Sequence, residues 1–184
     1  MTEPIADRFR AVGGTFTETA QRVPDGAWDN PAPCEGWVAR DVVGHMVEWM
    51  PSFLANAPVD VPEGPLVVDD PVGAWVELCD ALQAALDDPD IAACTFTHPY
   101  AGTHTVEDAI GTFFLGDVLV HTWDLATAAG LEVTLDPAEV HALLDGMEAM
   151  DEVLRASGQF GPRVEVPADA DEQTRLIAFT GRRP

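Results

Sequence analysis

Three side chains in this sequence have the type and spacing of ligands for a divalent cation. Asp117 and His121 lie four residues apart within a strongly apolar segment, and His45 lies in an earlier apolar segment. On a helix, a step of four residues places two side chains on one face, one turn apart. Such a pair can bind one cation, and a histidine from a neighbouring helix can complete the site. Three protein ligands leave a coordination position free for water or substrate, which is typical of a reactive metal site.

The apolar segment around Asp117 and His121 predicts that both side chains face the protein interior or a cavity within it. Its large apolar residues fall on nearly all sides of a helix, as in an interior helix. They are Ile110, Phe113, Phe114, Leu115, Val118, Leu119, Val120, Trp123 and Leu125. A buried carboxylate needs a cation, strong hydrogen-bond donors or a protonated neighbour. A bound metal ion meets this need, and the alternative is an ordinary buried hydrogen bond between Asp117 and His121.

The other histidines and Cys34 carry weaker signals. His98 and His104 are expected in a solvated loop, and His141 is expected to be exposed near the start of a helix. Cys34 precedes a Glu-Gly turn, which favours a small buried residue over a nucleophile. The sequence contains no serine-hydrolase elbow, zinc-protease motif, phosphate-binding loop or calcium-binding loop.

The composition restricts the class of function. The 184 residues include 32 acidic ones against 9 lysine and arginine residues, all arginine, for a formal net charge of −23. The absence of lysine excludes chemistry that needs a Schiff-base or P-loop lysine. The negative charge argues against nucleic acid and against anionic membranes as partners. Three scattered cysteines, with no signal peptide and no long apolar segment, predict a cytoplasmic protein without disulfides.

Helical spacing predicts the elements that would position the three candidate ligands. The pattern indicates four helices. The first ends near Pro24, the second covers residues 38–56, the third begins after Asp70, and the fourth runs to about Ala129. Pro51 is expected to kink or divide the second of these. Prolines at 58–69 indicate a long connection, and a short β pair is expected between residues 88 and 104. A fifth helix should start at 136–137 and run to about 154, and a short last helix should cover 171–179.

These elements predict an all-α protein built as a four-helix bundle with one long crossover connection. The length suits one domain over residues 1–184. Within it, the core bundle is expected at about 4–130 and a C-terminal helical extension at about 136–184.

Three segments resemble motifs of a known family. Pro-Cys-Glu-Gly-Trp at 33–37, followed by Arg40, Asp41 and His45, is similar to the second-helix signature of the DinB/YfiT-like metal-binding proteins. The segment at 120–126 resembles the fourth-helix motif of an actinobacterial branch related to mycothiol-dependent maleylpyruvate isomerase. The tail from residue 160 onward is similar to the usual ending of that branch.

The resemblance implies a bundle that binds one divalent ion, usually zinc and sometimes nickel, through three side chains. Matched to this sequence, those ligands would be His45, Asp117 and His121. The isomerase has a glutamate where this chain has the shorter Asp117, and it has a second domain for which no room is expected here. The specific isomerase activity therefore does not follow from the resemblance.

The leading hypothesis is a metal-dependent transferase or isomerase that uses a thiol, with mycothiol implied by the resemblance, on a small electrophile. The alternatives are a non-catalytic metal- or ligand-binding bundle and a metal-dependent hydrolase. Two histidines and a carboxylate also suit iron. The expected partners are small molecules, and a homodimer is one expected assembly.

The role of Asp124 has two interpretations. It lies three residues after His121, so it could orient that histidine from the side away from the metal. It could instead anchor an arginine such as Arg40. The sequence leaves both roles open and assigns no catalytic or cofactor-binding residue beyond the metal ligands.

Overall fold

The computed structural model describes residues 3–157 and 161–184. Its helices are α1 (Ile5–Arg22), α2 (Ala39–Phe53), α3 (Pro71–Asp87), α4 (Pro89–Ala92), α5 (Val106–Ala109), α6 (Leu115–Ala129), α7 (Pro137–Ala149), α8 (Asp151–Ser157) and α9 (Glu172–Phe179). A 3-10 turn (Asp25–Ala27) follows α1, and a π-helical turn (Ile110–Phe114) joins α5 to α6. Phe160, where the tail that carries part of the resemblance begins, lies outside the described residues. None of the described helices is long and apolar enough to cross a membrane.

Four long helices form the bundle that the sequence predicts. Helix α1 packs against α3 and α6, and α2 packs against the same two helices. Helices α1 and α2 therefore occupy opposite corners, so the connection between them crosses the end of the bundle. The predicted β pair is an antiparallel hairpin of β1 (Thr95–His98) and β2 (Gly102–Thr105). The all-α architecture is confirmed, with this hairpin as a small addition.

Residues at helix ends place the boundaries where the sequence predicts them. The side chain of Asp70 caps α3 by accepting a hydrogen bond of 2.8 Å from the backbone N–H of Gly73. Pro71 occupies the first turn, where its missing N–H is not needed. Helix α6 ends at Gly130, whose φ of 69° lies in the left-handed region that glycine adopts without strain.

The structure corrects the predicted continuity of two helices. Helix α2 is not divided at Pro51, because the proline lies in the last turn and the helix ends at Phe53, so of the two expected effects only a kink stays a prediction. The predicted fifth helix is two helices, α7 and α8, separated at Met150. Met150 is 53 % exposed, so burial does not hold the chain helical at that point.

The C-terminal helices pack onto the bundle through α7, which contacts both α6 and α9. At the contact with α6, a Cβ atom on Gly116 would lie 2.8 Å from Leu143 Cδ1, so a larger residue there would displace the Leu143 side chain. Leu144 and Phe179 join the same apolar cluster as the bundle core. That residues 1–184 behave as one domain stays a prediction.

Candidate metal centre

The three candidate ligands lie together between α2 and α6. His45 comes from α2, whereas Asp117 and His121 come from successive turns of α6. The Nε2 atom of His45 is 3.2 Å from Asp117 Oδ2, and the Nε2 atom of His121 is 3.5 Å from Asp117 Oδ1. One ligand atom from each residue lies within 4.8 Å of the other two. The fold therefore brings together side chains that are far apart in the sequence, and metal binding by them stays a prediction.

The spacing of these ligand atoms fits a divalent cation. A tetrahedral zinc ion with bonds of about 2.1 Å separates neighbouring ligand atoms by about 3.4 Å. The nitrogen–oxygen distances of 3.2 and 3.5 Å are close to that separation. Two imidazole nitrogens and a carboxylate oxygen are also a common ligand set for zinc. The two distances end on different oxygens of Asp117, so the ligand types and separations suit one divalent ion once the carboxylate or a ring has adjusted.

One side of the cluster is open to solvent. The side chains of His45 and Asp117 are 30 % and 27 % exposed, whereas that of His121 is 7 % exposed. His45 and Asp117 are therefore the candidate ligands that face solvent, while His121 stays covered by protein.

Two tryptophans enclose the cluster on its other sides. The ring of Trp37 is stacked on His121 with centroids 5.8 Å apart, and it also contacts the ring of His45. Trp49 stacks on His45, and its indole N–H donates a hydrogen bond of 2.9 Å to Asp117 Oδ2. Trp49 thereby fixes the orientation of the carboxylate. Sequence reasoning missed this role, although Trp49 lies one turn after His45 on the same face of α2.

The carboxyl group of Asp117 is ionised in this setting. Burial by itself raises the pKa of Asp117, but the hydrogen bond with His45 and the nearby charge of His121 outweigh it. The pKa of Asp117 therefore lies below its usual range. The cluster offers a negatively charged ligand to a cation.

The other nitrogen of His121 faces a second carboxylate. Nδ1 of His121 is buried and lies 2.8 Å from Asp124 Oδ2, with the oxygen off the axis of the N–H bond. Asp124 is fully buried. Arg182 donates to both of its oxygens, from Nε to Oδ1 and from Nη2 to Oδ2, each at 2.7 Å. Burial raises the pKa of Asp124, but His121 and Arg182 lower it below its usual range.

Asp124 therefore anchors an arginine, but that arginine is Arg182 and not Arg40. Asp124 also lies beside Nδ1 of His121, and its role in orienting that histidine stays a prediction. Arg40 instead donates to the backbone oxygen of Val68 at 2.7 Å and pairs with Asp29 at 3.3 Å. Arg182 is 58 residues from Asp124 in the sequence and reaches it because the chain returns to α6 after α9. No local pattern in the sequence indicates the pairing with Arg182.

Cys34 completes the buried group around Asp124. Its Sγ lies 3.5 Å from Asp124 Oδ2, and Arg182 Nη2 lies 3.3 Å from Sγ. Burial, reinforced by the charge of Asp124, raises the pKa of the Cys34 thiol to about 12. Cys34, His121 and Asp124 are also close enough to hold an ion. The guanidinium of Arg182 already balances this carboxylate, so a second cation there would be repelled.

The expectation that His98 and His104 lie in a solvated loop is wrong. Both are half-buried in the hairpin, whose turn accounts for the proline and glycine signals around them. His98 stacks on Phe53 with centroids 4.3 Å apart, and Nε2 of His104 lies 2.8 Å from the oxygen of Ala101. Neither belongs to the metal-ligand cluster. His141 is 69 % exposed, as predicted, and pairs with a glutamate on α9.

Comparison with known proteins identifies the family. Residues 9–126 match the family described as the mycothiol maleylpyruvate isomerase N-terminal domain. The chain is 29 % identical, over 83 % of its own length and 83 % of theirs, to uncharacterized proteins from two strains of Mycobacterium tuberculosis, CDC 1551 and H37Rv. No solved structure matches it significantly. The family predicted from the motifs is confirmed. The chain therefore belongs to the family of the mycothiol maleylpyruvate isomerase N-terminal domain, a DinB-like helical fold that links it to metal binding and to mycothiol.

Proposed function

We propose that the protein binds one divalent metal ion through His45, Asp117 and His121 and uses it to activate a small thiol for reaction with a small electrophile. The observation that carries this proposal is the convergence of two Nε2 atoms and one carboxylate on a partly exposed side of the cluster. The family relationship supports mycothiol as the thiol.

A divalent ion held by these residues would lower the pKa of a thiol that enters its free position, so that the thiol reacts as a thiolate at neutral pH. In a transfer reaction, a carbon–sulfur bond forms, the leaving group departs with its electron pair, and the thiol proton passes to solvent. In an isomerisation, the thiol adds to one alkene carbon, the former double bond rotates, and the same carbon–sulfur bond breaks. The thiol is consumed only in the transfer.

The surroundings of the cluster favour a neutral electrophile. Trp37 and Trp49 present aromatic surface beside the ligands. The positive charge of Arg182 is already paired with Asp124, and that of Arg40 with Asp29. The net charge of −23 also repels anions at long range. A dianion such as maleylpyruvate would therefore be a poor substrate.

Zinc is the metal we propose. Two imidazoles and one carboxylate form a recurrent zinc ligand set with a free fourth position. The same ligands also suit nickel and iron(II), so metal identity is an independent measurement.

A turnover assay on zinc-loaded protein tests this function. Purified protein receives mycothiol with monochlorobimane, a neutral electrophile, and in parallel with maleylpyruvate. We expect thiol-dependent conjugation of the neutral compound above the uncatalysed rate, and loss of this activity in Asp117→Asn. Asp108→Asn is the matched control, because Asp108 is an exposed carboxylate one helix earlier, outside the ligand cluster.

Two outcomes would overturn the proposal. A fully metal-loaded protein that turns over no thiol with either electrophile would be a non-catalytic metal-binding bundle. Zinc-dependent hydrolysis of a simple ester that needs no thiol would identify a hydrolase instead.

A further inference from the structure

We infer that Arg182 is a positioning residue of the metal centre, which holds His121 in its ligand orientation by fixing Asp124. This inference rests on the proposed function, since it assumes that Nε2 of His121 binds the metal ion. The C-terminal tail would then contribute a residue that supports the metal site, although the proposed ligands all lie before residue 122.

The contact between Arg182 and Asp124 has the geometry that fixes a carboxylate. Two parallel N–H donors of the guanidinium, Nε and Nη2, each lie 2.7 Å from a different carboxylate oxygen. Such a forked contact sets the plane of the carboxylate as well as its position. Asp124 is fully buried, so water does not compete for its oxygens.

The carboxylate fixed in this way lies beside the side of His121 that faces away from the ligand cluster. Its Oδ2 atom is 2.8 Å from Nδ1, while Nε2 of the same ring faces Asp117. A carboxylate next to the non-ligating nitrogen of a metal-binding histidine favours a proton on that nitrogen and orients the ring. Asp124 therefore favours the form of His121 whose Nε2 is free to bind a cation.

The backbone around Arg182 directs its side chain towards Asp124. Helix α9 ends in a Schellman motif, with the N–H of Gly181 bonded to the oxygen of Ala178 and the N–H of Arg182 bonded to the oxygen of Ile177. Gly181 has a φ of 91°, and a Cβ atom there would lie 3.0 Å from Cα of Gly161. The turn thus requires glycine at 181, and its fixed backbone places the side chain of Arg182 next to α6.

A charge-matched pair of variants tests the role of Arg182. Arg182→Ala and Arg183→Ala each remove one positive charge from adjacent positions, but the side chain of Arg183 is exposed. Zinc affinity is measured by competition with a chromogenic chelator. We expect about 10- to 100-fold weaker binding in Arg182→Ala, the range for residues that support metal ligands. Arg183→Ala should stay within about twofold of wild type, as for exposed charges.

Two further measurements separate positioning from general stability. Arg182→Lys keeps the charge but loses the fork, so we expect an intermediate zinc affinity, and this variant decides the matter if Arg182→Ala does not fold. The proton–nitrogen NMR signals of His121 in metal-free protein should place the proton on Nδ1 in wild type. They should indicate a mixture of ring forms in Arg182→Ala.

The outcome for wild type distinguishes the two proposals. If wild type binds zinc and both folded Arg182 variants bind it within about twofold of wild type, the role of Arg182 is overturned and the proposed function stands. Equal weakening by Arg183→Ala would overturn it as well, because general charge would then explain the effect. If wild type itself binds no zinc, the proposed function fails and this inference fails with it.

Discussion

His121 has a carboxylate on each side, and the two sides differ in what neutralises that carboxylate. Next to Nε2, Asp117 contacts His45 and Trp49, and the side chain of Asp117 is 27 % exposed. Next to Nδ1, Asp124 is fully buried and paired with Arg182. Both carboxylates come from α6, but only Asp124 is paired with a guanidinium.

The difference indicates which cluster is available to an external cation. A buried carboxylate whose charge is matched by a guanidinium is a structural element, and adding a metal ion there would place two cations together. Asp117 meets two imidazoles, which are themselves good metal ligands when neutral. The residue type is the same at 117 and 124, so the surroundings decide the role.

The largest expected effect concerns stability on the Nδ1 side. Asp124→Asn leaves the half-buried guanidinium of Arg182 without its partner, which should lower the free energy of unfolding by about 3–5 kcal/mol. Asp117→Asn in metal-free protein keeps a hydrogen-bonding side chain and should cost about 1 kcal/mol. Urea unfolding in the presence of a chelator measures both. Equal losses of unfolding free energy in the two variants would contradict the proposed difference between the surroundings of Asp117 and Asp124.

The second prediction concerns zinc affinity. The variant at Asp117 should have the larger effect here, whereas the variant at Asp124 should have the larger effect on stability. Asp117→Asn removes a proposed ligand and should weaken zinc binding by more than about 100-fold, whereas Asp124→Asn should weaken it by about 10- to 100-fold. Chelator competition measures both values. A greater loss of affinity in Asp124→Asn than in Asp117→Asn would indicate that the ion binds on the Nδ1 side of His121, which contradicts the proposed site.

A smaller effect is expected at Trp49. Trp49→Phe keeps an aromatic ring beside His45 but removes the hydrogen bond of 2.9 Å to Asp117. The carboxylate is then less well oriented, and zinc affinity should fall by about tenfold, the lower end for supporting residues. Trp123→Phe is the matched control, because the half-buried Trp123 lies on α6 outside the ring contacts around His45. The same loss in both variants would mean that the indole N–H of Trp49 has no special role.

The smallest expected effect is at Cys34. With a pKa of about 12, its thiol stays protonated at neutral pH, and the thiolate becomes abundant only as the pH approaches that value. Iodoacetamide should therefore label Cys34 far more slowly at pH 8 than it labels the same thiol in urea-unfolded protein, as mass spectrometry can follow. Cys34→Ser should also change zinc affinity by less than about twofold, since Cys34 lies on the Nδ1 side. Rapid labelling in the folded state would contradict this environment.

The sequence predicts the elements that depend on local pattern. The helical spacing of apolar residues in α1, α2, α3 and α6 is regular enough to predict the bundle, and the four-residue step from Asp117 to His121 places both on one helix face. His45 could be added because its flanking motif resembles that of the family. The turn signals alone were misleading for His98 and His104, because His98 packs on Phe53 of α2 and His104 packs on Phe113 of the π-helical turn.

The contacts that the sequence could not predict join distant segments. Arg182 and Asp124 are separated by 58 residues, and their pairing depends on how α7 packs on α6 and how α9 packs on α7. Nothing local distinguishes Arg182 from Arg183, since both are arginines in the same short tail. The break at Met150 likewise follows from missing burial rather than from a helix-ending residue.

Metal analysis of protein purified without an affinity tag tests the central claim most directly. His45 belongs to the Nε2 side alone, so His45→Ala separates that side from the Asp124 group. We expect about one zinc ion per chain in wild type and a large loss of bound zinc in both His45→Ala and His121→Ala. Less than about a tenth of an equivalent in wild type, or full occupancy in His121→Ala, would contradict the assignment of the site.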